Sequence, residues 1–152
     1  MHQKNSDSKG IDQLNLRILR CLQDDARLSI TDIGKQVGLS GPAVSERLRR
    51  MEEEGVILTY ATVIDYEKIG MPIQAFITLK SALTHAGVVK KLEEIPEITE
   101  CFNITGNFCM IMKVITPTTR RLEAIIGQLQ QLGETNTSII LSETFQKRGL
   151  LP

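Results

Sequence analysis

Arg47, Arg49 and Arg50 crowd one short stretch of the chain, on a segment whose apolar residues recur at helical spacing. With Val44 set as the buried direction and about 100° per residue, Leu48 and Met51 return to the buried side. Ser45, Glu46, Arg49, Arg50 and the first-turn pair Pro42 and Ala43 point away from it, and Arg47 lies at the flank. A guanidinium fork matches a guanine edge or a phosphate in two-pronged geometry. Short residues ahead of the arginines let such a helix approach the bases closely. The chemistry is therefore that of contact with duplex DNA, with Arg47 at the flank suited to phosphate. The same face also reads as a solvated one laced by ion pairs, because Glu46–Arg50, Arg49–Glu53 and Arg50–Glu54 are all four apart. Both readings hold together, since an acidic partner can orient an arginine that also touches DNA.

The element that must carry these arginines is the second of two short helices. In Thr31 to Arg50, TDIGKQVGLSGPAVSERLRR, Ile33 and Val37 share one face of the first helix, and Val44, Leu48 and Met51 share one face of the second. Between them Gly38 supplies the positive φ that ends a helix, and Ser40 supplies the cap of the next. Pro42 falls in the first turn, where its missing N–H costs nothing. This is the helix-turn-helix layout for entry into a major groove. The candidate DNA-binding residues are Thr31, Ser40, Gly41, Pro42, Ala43, Ser45, Glu46, Arg47, Arg49 and Arg50.

A preceding helix is expected from about Asp12, its cap, to Gln23, with Leu14, Ile18, Leu19 and Leu22 as its stripe. Together the three helices bury enough for a small core, and Gly55 ends the third. Val56 to Asp65, VILTYATVID, alternates and is β-branched, so a strand is expected there. Tyr66 to Pro72 reads as a break. The expected organisation is a polar tail over 1–10, a helix-turn-helix domain over 11–57, a strand linker over 58–72 and a second domain over 73–148.

That second domain reads strand, helix, strand, strand, helix, strand. Strands are expected at Ile73 to Lys80, Ile98 to Thr105, Phe108 to Thr116 and roughly Thr137 to Phe145; helices near His85 to Glu94 and Pro117 to Leu132. Thr116 is the expected cap of the last helix, ahead of Pro117, and Leu122, Ile125, Ile126, Leu129 and Leu132 are its stripe. Two βαβ units in series predict an α+β, ferredoxin-like sheet with both helices on one face. Phe108 to Ile115 is apolar on both parities, so the bare face of the sheet is expected to be covered by a second copy.

Composition narrows the function. Formal net charge is zero, so no global basic field draws the chain to nucleic acid. Residues 1–60 hold nine Lys and Arg against nine Asp and Glu. One copy should therefore bind DNA modestly, and several linked heads would bind far better. Met1 to Gly10 is polar, without the apolar core of an export signal, and no run approaches the roughly 18–20 apolar residues of a membrane span. Cys21, Cys101 and Cys109 are odd in number and are expected as buried thiols of a reducing cytoplasm. There is no CxxC, and only His2 and His85 are present, so neither a metal site nor a cysteine nucleophile is expected. The chain reads as a non-enzyme that needs no cofactor.

With a head ending RLRRMEEEGVI, a linker and a βαββαβ domain, the chain resembles the Lrp/AsnC, or feast/famine, transcription regulators from about Ile11 to Arg148. The segment IDQLNLRILRCLQDDARLSITDIGKQVGLS, continued by SERLRRMEEEGVI, carries the resemblance. It implies a winged-helix DNA-binding domain and a regulatory domain called RAM. It also implies homodimers, commonly joined into octamers, that bind promoter DNA among the nucleoid and often respond to an amino acid. Family members place that effector against the loop joining the middle strands, where many carry Gly-Asp-aromatic-Asp. Here the matching residues are Gly106, Asn107, Phe108 and Cys109. Both acidic positions are uncharged, so the natural partner of an α-ammonium is missing. Without the resemblance, Gly106-Asn107 reads as a tight hairpin turn.

Three rival readings stay open. An effector-independent architectural protein that bends or wraps DNA shares the head and the assembly. A winged-helix module that binds protein is compatible with the neutral charge. A small enzyme on a ferredoxin-like domain is allowed by the fold but leaves the basic helix unexplained.

Overall fold

The computed structural model describes residues 11–144 and 149–151. The tail over 1–10 and the last stretch of the expected second domain, 145–148, lie outside them. The chain divides into two compact units, with the division at Thr62/Val63.

The first unit holds α1 (Gln13–Asp24), α2 (Ile30–Val37) and α3 (Gly41–Glu53). Each opens on a side-chain cap. Asp12 accepts from the Asn15 amide, Ser29 from Asp32 and Ser40 from Ala43, which satisfies donors a helix start leaves unpaired. Ile18, Ile33, Val37, Val44 and Met51 form the core, with Leu19, Leu22, Leu48 and Ile57 packed against it. Asn15 is buried too, a polar residue inside the expected apolar stripe. The third helix ends as expected: the Val56 and Ile57 amides turn back to the Met51 carbonyl, with Gly55 at φ 71°.

Val56 to Asp65 is not a strand in the single chain. Its alternation is real, but a strand exists only by pairing, and no segment among the described residues pairs with it. Leu58 and Val63 are each 88% exposed. Tyr60 turns back to donate to the Glu52 carboxylate at 2.8 Å. Within the expected break, Glu67–Ile69 makes a short 3-10 turn closed by Gly70 at φ 81°.

The second unit is a four-stranded antiparallel sheet ordered β2-β3-β1-β4, from β1 (Ile73–Lys80), β2 (Ile98–Asn103), β3 (Met110–Thr116) and β4 (Glu134–Ile139). Helices α4 (His85–Glu93) and α5 (Thr119–Gln130) share one face. Ala75, Ile77 and Leu79 of β1 and Met110, Met112 and Val114 of β3 meet Val88 and Leu92 of α4 and Leu122, Ile125 and Leu129 of α5 in one core. This is the ferredoxin-like arrangement.

Several expectations are corrected. The last strand starts three residues earlier than Thr137, because the alternating Glu134-Thr-Asn-Thr-Ser run pairs with β1 although it is polar. The cap of α5 is Thr118, whose hydroxyl accepts from the Arg121 amide at 3.1 Å. Pro117 holds its predecessor extended, so Thr116 ends β3 and is fully buried. The apolar parity Met110, Met112, Val114 serves the unit's own core, which leaves Ile111 rather than the whole strand for any partner. The cysteines are not buried thiols: Cys101 and Cys109 are exposed and Cys21 is half-buried. Cys101 lies on β2, an edge strand of the sheet.

Candidate nucleic-acid interface

The turn between α2 and α3 is three residues, Gly38, Leu39 and Ser40. Gly38 adopts φ 76°, the left-handed conformation that glycine takes without steric cost. Its amide and that of Leu39 both donate to the Gly34 carbonyl, at 2.8 and 2.9 Å. Gly34 is not among the residues singled out by sequence, yet it faces the turn so closely that a Cβ would lie 2.6 Å from the Leu39 carbonyl oxygen. The only local signal for it is a glycine inside an otherwise amphipathic helix, where glycine is less favourable than alanine.

Beyond the turn, Ser40, Pro42, Ser45, Glu46, Arg49 and Arg50 are exposed, with Gly41 and Ala43 half-buried at the start of α3. Thr31 is exposed in the first turn of α2. On α3, Pro42, Ser45, Glu46, Arg49 and Arg50 are thus exposed while Val44 and Met51 are buried. Arg49 is held by two carboxylates, Glu46 at 2.7 Å and Glu53 at 2.5 Å. Arg50 lies 3.7 Å from Glu54. The expected Glu46–Arg50 pair is replaced by Glu46–Arg49, one residue closer. The Arg49 N–H bonds hold the Glu46 carboxyl below its usual range, and the two carboxylates push the Arg49 guanidinium further up. Ion pairs this exposed to solvent contribute little, so the exchange of a carboxylate for a phosphate costs little.

Arg47 differs from its neighbours. Its Nη1 donates to Asp12 Oδ2 at 2.7 Å and to Asn15 Oδ1 at 2.8 Å, across to α1. Its side chain is 29% exposed against 55% and 61% for Arg49 and Arg50. The backbone N–H of Asn15, then Arg47, holds the Asp12 carboxyl below its usual range. A second tie between helices comes from Arg17, whose Nη2 donates to the Gln36 carbonyl at 2.9 Å.

In the second unit, Gly106, Asn107 and Phe108 lie in the loop joining β2 and β3. The loop is wider than the tight turn that Gly106-Asn107 suggests: the Ile104 amide bonds the Cys109 carbonyl at 3.0 Å, with four residues between. Gly106 has φ 116° while Asn107 stays at negative φ, so the two positive φ values of a type I′ turn are not met. Asn107 is exposed and Phe108 half-buried. A hollow of about 320 Å³ opens beside this region rather than on the loop, bounded by His85 and Val89 of α4 and Cys101 and Asn103 of β2.

A helix-turn-helix head with an arginine-bearing second helix, followed by a ferredoxin-like domain, defines a DNA-binding regulator with a separate regulatory unit. Residues 11–57 match the winged helix-turn-helix DNA-binding family, and residues 74–150 match the Lrp/AsnC ligand binding domain. The chain belongs to the Lrp/AsnC family of transcriptional regulators. It is 31% identical to the HTH-type transcriptional regulator LrpC of Bacillus subtilis, over 91% of this chain and 97% of that one. It is 36% identical to the regulatory protein AsnC of Haemophilus influenzae, over 81% and 83%. The solved structure of B. subtilis LrpC superposes with a TM-score of 0.85 at 29% identity, covering 90% of this chain and 99% of the other. A feast or famine regulatory protein from M. tuberculosis, complexed with L-methionine, superposes with a TM-score of 0.87 at 26% identity, covering 93% and 99%.

Proposed function

We propose that the chain binds promoter DNA through α3, with Arg49 and Arg50 reaching base edges or phosphates. Thr31, Ser40 and Ser45 supply hydroxyl contacts, and Gly41, Pro42 and Ala43 allow close approach. The carrying observation is the exposed, capped face of α3, with short residues at its start and two arginines bound only by exposed carboxylates. Glu46 orients Arg49. The protein acts in the cytoplasm, on the nucleoid, as a regulator and not as an enzyme, without cofactor or metal. No helix among the described residues is long and apolar enough to cross a membrane. A salt-dependent shift of duplex DNA at micromolar protein tests the proposal; no shift at low salt would refute it.

Assembly belongs to this function. Phe76 (41% exposed), Phe102 (53%) and Ile139 (49%) of the sheet, and Leu58 and Val63 of the linker, are large apolar side chains left to solvent. A homodimer that pairs the linker segments as strands and covers the sheet explains both, and joined dimers give an octamer. Because residues 1–60 carry as many acidic as basic side chains, linked heads supply the avidity that one head lacks.

The regulatory unit is proposed to take an amino-acid-like effector at the Gly106, Asn107, Phe108 loop, by analogy with the M. tuberculosis regulator bound to L-methionine. Asn107 offers a donor and an acceptor but no charge. A second reading, an architectural protein that bends or wraps DNA without an effector, is favoured by the neutral loop, where Asn107 and Cys109 stand at the two family acid positions.

A further inference from the structure

We propose that Arg47 is a positioning residue and not a DNA contact: with Asp12 and Asn15 it pins the DNA-reading helix to the N-terminus of α1. The inference builds on the DNA-binding reading above. Arg47 stands on the same helix as Arg49 and Arg50 and has the same chemistry, but its surroundings are different. One nitrogen, Nη1, directs both its hydrogens to α1, at 2.7 Å to Asp12 Oδ2 and 2.8 Å to Asn15 Oδ1. Asn15 is 6% exposed, so its end of the tie lies out of water, where a hydrogen bond is stronger than at the surface.

Asp12 carries a second task. Its Oδ1 caps α1 by accepting from the Asn15 amide at 2.8 Å, at the positive end of the helix dipole where a carboxylate is favoured. One carboxylate thus starts α1 and fastens α3. For Nη1 to turn to a phosphate both bonds must break and the Asp12 carboxylate loses its cation, while the same two bonds fix the direction in which the remaining N–H groups of Arg47 can point. Arg49 must also release Glu46 and Glu53, but these are exposed residues of its own helix, and the Arg50 partner Glu54 caps that helix, so no tie between helices is lost.

The test uses the full chain, a duplex selected by the wild type from a random pool, and a scrambled duplex of equal length. Affinity for each is measured over a salt series. A phosphate contact contributes about 0.9 to the slope of log affinity against log salt. Arg47→Ala is expected to leave the slope unchanged while its preference for the selected duplex falls about tenfold. Asp12→Ser, which keeps a capping hydroxyl but cannot reach the guanidinium, should reproduce that loss. Arg47→Met, which retains the apolar stem, replaces the alanine variant if that one melts early. A slope reduced by about 0.9, with equal weakening on both duplexes, would overturn the proposal and return Arg47 to the phosphate. An unchanged preference in Asp12→Ser would also overturn it. Failure of the wild type to select any duplex would instead refute the DNA-binding reading itself.

Discussion

Gly34 and Leu39 approach so closely that the Gly34 carbonyl accepts from the Leu39 amide at 2.9 Å, while a Cβ on Gly34 would lie 2.6 Å from the Leu39 carbonyl oxygen. The obstacle is backbone, which cannot swing aside as a side chain can. A branched side chain at this position must push α2 away from the turn, and the turn sets where α3 begins. Gly34→Val should destabilise the head by about 1–3 kcal/mol, seen as a lowered urea midpoint for its helical signal. DNA affinity should fall with it. A variant as stable as the wild type would show that the turn has slack.

Arg121 Nε donates to Glu97 Oε1 at 2.6 Å, and Glu97 is only 14% exposed. The Arg121 N–H holds the Glu97 carboxyl below its ordinary 4.5. A depressed folded value means that the contribution is complete above pH 4.5 and is lost as the pH falls through the lower folded value. Glu97→Gln should therefore lower the melting temperature at pH 7, and the gap to the wild type should close below pH 4.5. A gap that persists unchanged into acid would show that the pair does not act through its charge.

Phe102 is 53% exposed and Phe76 41% exposed, both on the sheet face away from the helices, where each pairs with an outward residue of β3: Phe102 with Ile111 and Phe76 with Lys113. Light scattering at micromolar concentration should report a dimer or larger assembly. Phe76→Asp/Phe102→Asp should shift it toward monomer and weaken DNA binding by roughly 10²-fold as avidity disappears. A monomeric wild type would contradict the assembly reading.

Asn107 is exposed and uncharged. Calorimetric titration with each standard amino acid should show binding too weak to saturate at roughly 1 mM, about 4 kcal/mol. Asn107→Asp should tighten it by restoring a charge for the ammonium. Tight binding of several amino acids by the wild type, abolished by Asn107→Ala, would show that the missing acids matter less than their charge suggests.

Much of this architecture is legible in the residues. The caps Asp12 and Ser40, the Gly38 turn and the strand Ile73–Lys80 are local choices, each dictated by a few neighbouring side chains. What escapes a reading of the sequence depends on partners distant along the chain. Val56 to Asp65 alternates like a strand but has no ladder partner among the described residues. β4 is polar because none of its residues is buried, Thr135 and Thr137 being only half-buried, and its register comes from β1 rather than from its own composition. By helical position alone Arg47 is a flank residue free for phosphate, and only the fold brings Asp12 within 2.7 Å of it. Asn15 is easily passed over as a polar residue of an apolar stripe, although its i, i+3 spacing from Asp12 puts both on one face.

The most direct measurement is the affinity of the full chain carrying Arg49→Ala/Arg50→Ala for the duplex that the wild type selects from a random pool, measured over a salt series. Each base-contacting arginine is expected to carry about 1–3 kcal/mol of discrimination. The salt slope should drop by about 0.9 for each phosphate no longer neutralised, while assembly and melting temperature stay at the wild-type values. Wild-type affinity and slope in the double variant would contradict the DNA-binding reading.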